Sequence, residues 1–138
     1  MKPIKTLFTI LFISLLSSPS WSVTLGDLVE RNDLYYEKFT DVPFSGEVTG
    51  KTQGSFKNGK RDGAWVWYYE NGQLSWKTSY NNGYFTGDTV SYYRNGQLQW
   101  KGTWKSNMRE GVWVNYNEDG TKNKILSGTY KDDVKISD

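Results

Sequence analysis

The sequence predicts an all-β fold of stacked β-hairpins, and three observations carry that expectation. The first is a 24-residue period: Gly63, Gly87 and Gly111 fall in step, as do Val66, Val90 and Val114, Tyr68, Tyr92 and Tyr116, and Gly72, Gly96 and Gly120. Leu74 and Trp76 recur as Leu98 and Trp100. Periods of 20–50 residues are the mark of supersecondary units that bury a common face against their neighbours. The second is that one period reads as strand, turn, strand, turn: AWVWYY, ENG, QLSWKTSY, NNG. Aromatic and branched residues fill the strands, and glycines that tolerate positive φ close the turns. The third is composition. Aromatic residues make up 17% of the 138, with seven Trp and ten Tyr, against 36% hydrophobic in total, so large rings must supply much of the burial. Fourteen Gly and three Pro suit tight turns, and no stretch of the repeats has helical periodicity.

Three regions follow in order. Residues 1–22 have the layout of a secretory signal peptide: a basic start (MKPIK), an apolar run over 7–16, and SSPSWS with small residues at Ser20 and Ser22. The apolar run is shorter than the ~20 residues of a membrane-spanning helix. No Cys follows it, which excludes a lipid-attachment box. The expectation is export to the periplasm or beyond, with cleavage near Ser22, the competing reading being an uncleaved anchor. Residues 23–43 form an N-terminal segment, read as a short hairpin with a turn at Asn32–Asp33 or as a short helix over 25–31. The array occupies 44–138, because PFSGEV at Pro43 matches YFTGDT at Tyr84. GSFKNGKRDG (54–63) and GTWKSNMREG (102–111) are the same element 48 residues apart, and GTYKDD at Gly128 repeats it after a two-residue slip. The last unit sets Lys122 and Lys124 opposite Val114 and Tyr116, as a frayed cap in which Ile125 and Leu126 would repack.

Register decides the faces. A three-residue Glu70–Asn71–Gly72 loop pairs Tyr69 with Gln73, hence Tyr68 with Leu74 and Val66 with Trp76. All four then share a buried face, repeated by Tyr92, Leu98, Val90 and Trp100. The other face would carry Trp65, Trp67 and Tyr69.

Several chemistries are excluded or left without support. With no Cys and no His, the chain lacks thiol nucleophiles, disulfides, imidazole bases and the usual zinc ligands. There is no Gly-rich phosphate loop and no Ser-centred nucleophile motif. Of 17 basic residues, Lys2 and Lys5 fall in the leader, which leaves 15 against 15 acidic, so the processed chain is formally neutral and nucleic acid is not an expected partner. No cofactor, metal or catalytic residue is expected. The only carboxylate pairs that could meet across units, Glu70 with Asp88 or Asp62 with Glu110, sit at turn positions where acids are ordinary.

The Gly-x-aromatic, Asn-Gly-Gln-Leu and Gly-Thr-Trp-Lys elements resemble MORN repeats, in the variant form found in many bacterial proteins that are often labelled YwqK-like toxin–antitoxin system antitoxins. The resemblance covers roughly 44–133. Gly102, Trp104, Lys105, Asn107, Arg109 and Gly111 match its Gly-x-Trp-Lys block, as do Gly54, Phe56, Lys57, Asn58, Gly59 and Gly63. Two positions depart from it: Thr78 stands where sister units have Gly54 and Gly102, and Thr89 where they have Trp65 and Trp113. The resemblance implies an elongated, twisted, single-layer antiparallel sheet, contacts with protein or lipid, and no catalysis of its own.

The candidate binding site is the face outside the repeated stripe: Trp65, Trp67 and Tyr69 with Lys77, then Tyr93 and Trp113. An aromatic cluster rimmed by polar groups marks a partner patch. The competing reading is that a curled sheet buries these rings, or that Lys77 covers Trp65. Lys51, Lys57, Lys60 and Arg61 form the one basic cluster. The expected function is an exported, non-catalytic scaffold for protein–protein interaction. Alternatives are an antitoxin or immunity protein that neutralises a toxin, and a module for envelope lipid or glycan. A homodimer through a sheet edge is the further partner this fold allows.

Overall fold

The computed structural model describes residues 22–138; the expected signal peptide therefore lies, but for Ser22, outside the described residues. The strands are β1 (Leu28–Arg31), β2 (Leu34–Glu37), β3 (Gly46–Val48), β4 (Thr52–Lys57), β5 (Lys60–Tyr68), β6 (Leu74–Asn81), β7 (Tyr84–Tyr92), β8 (Leu98–Lys105), β9 (Met108–Asn115), β10 (Gly128–Lys131) and β11 (Val134–Ser137). β3 to β11 make one nine-stranded sheet in strict chain order, every neighbour antiparallel. This is the single-layer hairpin array that the period predicts.

The two ends of the hairpins use different turn chemistry. At one end Tyr69 N–H donates to Gln73 O and Gly72 N–H to Tyr69 O, both short bonds of 2.8 and 2.9 Å, with Gly72 at φ 81°. Asn71 Oδ1 accepts from Gln73 N–H, and Asn95 and Asp119 do the same for Gln97 and Thr121. The side-chain oxygen makes this bond in all three turns, so Asp can replace Asn without losing it. At the other end two-residue turns, Asn58–Gly59, Asn82–Gly83, Ser106–Asn107 and Asp132–Asp133, hold both residues at positive φ. These are the turns whose twist matches that of the flanking strands.

The register agrees with the expectation at the hairpin tip and departs from it one residue later. Tyr68 pairs with Leu74, as expected, but the ladder shifts there and Ser75 is left over, so Trp67, not Val66, faces Trp76. Gln99 is the left-over residue in the next hairpin, where Tyr92 pairs with Leu98 and Ser91 with Trp100. A bulge of one residue exchanges the faces of everything beyond it. Val66 therefore lies opposite Lys77, and Trp76 joins Trp65 and Trp67 on the ring-bearing face.

That face is the core. Phe56 meets Trp65 edge-on at 4.9 Å, Trp65 meets Trp67 at 5.6 Å, and Trp67 stacks on Trp76 at 4.4 Å. Trp76 then meets Trp100, Trp100 meets Trp113, and Trp113 meets Trp104 at 4.8 Å. Rings in offset or edge contact gain energy beyond their area, which lets a single layer form a core without a second sheet.

Ahead of the array, β1 and β2 pair through a turn at Asn32 and Asp33 (φ 51° and 61°), and one 3-10 turn, Leu25–Asp27, precedes them. Leu28 and Tyr35 pack against Phe44, Val48 and Phe56, and Tyr35 N–H donates to Gly59 O. At the far end the two-residue slip forms a loop: Tyr116 bridges Lys122, Asn123 N–H donates to Asn115 O, and Ser127 is buried. Ile125 and Leu126 do not repack as expected. They stand exposed at 83% and 49%, because the loop turns back through Asn123 and Ser127 before reaching the core.

Candidate functional site

The six residues singled out in the sequence do not form one surface. Trp65 is 0% exposed and Trp113 4%, so both belong to the core and neither can meet a partner. The cause is local. Each indole lies flat on the backbone of a glycine across the ladder, Trp65 on Gly54 and Trp113 on Gly102, where an added Cβ would overlap the ring. Trp65 Nε1 donates to Ser55 O at 3.1 Å and Trp113 Nε1 to Thr103 O at 3.2 Å, so burial leaves neither N–H unpaired. Trp67 is half-buried in the stack on Trp76. These rings are therefore packed into the protein, as the competing reading expects. The cation over Trp65 is Arg61, at 5.0 Å, not Lys77, which is exposed on the opposite face.

Tyr69 and Tyr93 have a bridging role. Tyr69 Oη donates to Tyr92 O at 2.7 Å, and Tyr93 Oη to Tyr116 O at 2.8 Å, each tying a hairpin tip to the next unit. The basic cluster is dispersed: Lys51 pairs with Glu70, while Arg61 is packed among Tyr35, Trp65 and Tyr80. The carboxylates have separate partners too. Asp62 accepts from Asn82 N–H, Glu110 from Asp132 N–H, and Asp88 from Thr103 Oγ1. Lys51 holds the Glu70 carboxyl below its ordinary range, and the Arg109 guanidinium does the same for Asp133. Burial pushes the Tyr80 and Tyr35 phenols up. Among the described residues no group of three or more acidic side chains could hold a metal ion, and no helix is long and apolar enough to cross a membrane.

What remains accessible is the face opposite the rings. The register places Val66, Lys77, Val90, Lys101 and Val114 side by side on successive strands, a row in which valine and lysine alternate across the sheet. Around Val90 the sheet forms a groove of about 500 Å³ lined by Lys77, Asp88, Lys101, Val112 and Val114. Val112 is 66% exposed. Lysine stems extend the apolar floor while their ammonium groups stay at the rim. Of the six candidates only Lys77 borders this groove. The residues missed, Val90, Lys101, Val112 and Val114, carry one legible signal: Lys77 and Lys101 repeat at 24 residues just as the valines do.

Two stretches of the chain, residues 61–83 and 85–106, match the MORN repeat variant family, together about a third of the sequence. No curated protein matches. Among solved structures the chain is similar to one described as the crystal structure of the GtfA/B complex bound to UDP and GlcNAc. The identity is 12%, the match covers 67% of this chain and 21% of that one, and the TM-score is 0.24, which carries no argument about fold or ligand. The matched stretches span β5 to β8 and the turns between them, the middle of the sheet.

Proposed function

We propose that this protein is an exported, non-catalytic repeat scaffold that binds another protein through the valine–lysine groove. The observation that carries the reading is the division of labour between the faces. One is closed by its own rings; the other exposes a shallow apolar strip around Val90, with Val112 exposed in it and two lysines on its rim. A desolvatable apolar centre inside a charged rim is the usual anatomy of a protein-binding patch. Export is supported by the leader sequence and by Val23, the residue after the expected cleavage site. It packs against the core, and its carbonyl accepts from Thr49 N–H at 2.8 Å, while Ser22 is exposed. The YwqK-like resemblance makes a toxin the partner to look for first.

The test is retention of partners from envelope extract by the exported protein and by a Val90→Glu/Val112→Glu form with an unchanged unfolding midpoint. A protein held by the first and not by the second supports the reading. Equal retention removes the groove from it. Retention of no protein, with binding to anionic vesicles or glycan instead, replaces it by the lipid or glycan alternative.

A further inference from the structure

Arg61 and Arg109 hold the same place in units 48 residues apart, but their charges are met differently. Each strand is tied to the next two-residue turn by the same bond: Gly83 N–H donates to Arg61 O, and Asp133 N–H to Arg109 O. In the second case the turn residue has a carboxylate. Arg109 Nε donates to Asp133 Oδ1 at 2.6 Å, and the guanidinium lies 4.0 Å over Tyr130. In the first case the turn residue is glycine. Arg61 forms no ion pair within 4.0 Å among the described residues. Among the described residues its Nη2 donates to the Tyr35 hydroxyl at 2.9 Å, its buried Nε has no partner, and its Nη1 makes no further hydrogen bond. Tyr35, Trp65 and Tyr80 surround the group at 4.8, 5.0 and 5.7 Å.

The place left by the missing side chain is part of a cavity of about 440 Å³. Lys60, Arg61, Asn82 and Gly83 line it on the array side, and Glu30 and Asp33 of the N-terminal hairpin line it opposite. The geometry points to this cavity as a binding site for a small carboxylate, which takes up beside Arg61 the role that Asp133 plays beside Arg109. A guanidinium surrounded by rings and short of an acceptor gains most from a planar anion that accepts charge-assisted bonds. Lys60 supplies a second positive charge. Glu30 and Asp33 repel a multiply charged anion and favour a ligand that turns a donor, ammonium or hydroxyl, towards them. An amino acid and a sugar acid share that chemistry. The site is separate from the valine–lysine groove and does not depend on it.

The experiment follows the arginine Nε–H resonances of the ¹⁵N-labelled protein during titration with propionate, alanine and glucuronate at matched ionic strength. The expected result is a saturable shift of Arg61 with at least one probe, at a Kd on the order of millimolar, while Arg109 stays fixed. Alanine acting alone identifies an amino acid, glucuronate alone a sugar acid, and propionate as well as either shows that the carboxylate suffices. Gly83→Asp supplies the carboxylate within the chain, and the turn tolerates it, since Asp133 holds the same position at φ 68°. The variant should move the Arg61 resonance towards that of Arg109 and abolish the titration. Lys60→Gln should weaken binding several-fold. No saturable shift with any probe overturns the proposal, as does a Gly83→Asp form that titrates unchanged.

Discussion

In the units built on Gly54 and Gly102 a tryptophan from the facing strand lies on bare backbone; in the unit between them Thr78 and Thr89 stand there instead, 1% and 4% exposed. In the middle pair Thr89 is satisfied in another way. Thr89 Oγ1 donates to Lys77 O at 3.1 Å and accepts from Trp76 Nε1 at 3.0 Å, so an indole from the neighbouring row makes the bond that Trp65 and Trp113 make to backbone carbonyls. The difference teaches that the constraint belongs to the pair across the ladder and not to either position. One side may be empty and the other a large ring, or both may be of middle size. Gly with Thr would leave a void and Thr with Trp would collide, and neither combination occurs.

The largest expected effect breaks the outer type. Trp65→Ala removes the most buried ring and should lower the unfolding free energy by about 3–5 kcal/mol in urea denaturation. Next comes a cycle that converts one type into the other. Gly102→Thr alone drives a side chain into the Trp113 indole, and Trp113→Thr alone leaves a cavity. The double substitution reproduces the Thr78–Thr89 pair and should recover part of the sum, with a coupling of about 1–3 kcal/mol. Additive losses would show that the two sites do not sense each other. Tyr69→Phe removes one bond between units and should cost about 1 kcal/mol by the same assay, with no change in fold. The smallest effect has the opposite sign. Thr78 Oγ1 is buried with no partner among the described residues, so Thr78→Val, equal in shape, should be neutral or stabilising by up to about 1 kcal/mol. A clear loss of stability would mean that the hydroxyl has a partner after all.

The period, the strands, the tip turns and the run of hairpins are legible in the sequence, because each rests on local chemistry: Gly72 at positive φ, the Asn71 acceptor, β-branched and aromatic runs. Faces are not, because they depend on a running count along the ladder. The left-over Ser75 and Gln99 change that count, and nothing about a serine or a glutamine announces a bulge. A count without them sets Trp76 and Trp100 on the valine side as the buried face and turns Trp65, Trp67 and Trp113 outward, whereas all five share the ring face. One signal corrects this. Thr78 and Thr89 both depart from the repeat pattern, and their shared departure makes sense only if 78 meets 89 across the ladder, as Gly54 meets Trp65 and Gly102 meets Trp113. Reading the two exceptions as a pair yields the ring face directly. Tyr69 and Tyr93 cannot be read in this way, since their phenols reach carbonyls 23 residues ahead in the next unit.

The central claim is that the ring-bearing face is the interior of the protein. The most direct measurement is hydrogen exchange of the indole N–H groups, resolved in one ¹H–¹⁵N spectrum. Trp65 and Trp113 should exchange as slowly as the most protected backbone amides, released only by global unfolding. If both exchange at the rate of a solvent-exposed indole, the face is open, the claim fails, and the rings return as a candidate binding surface.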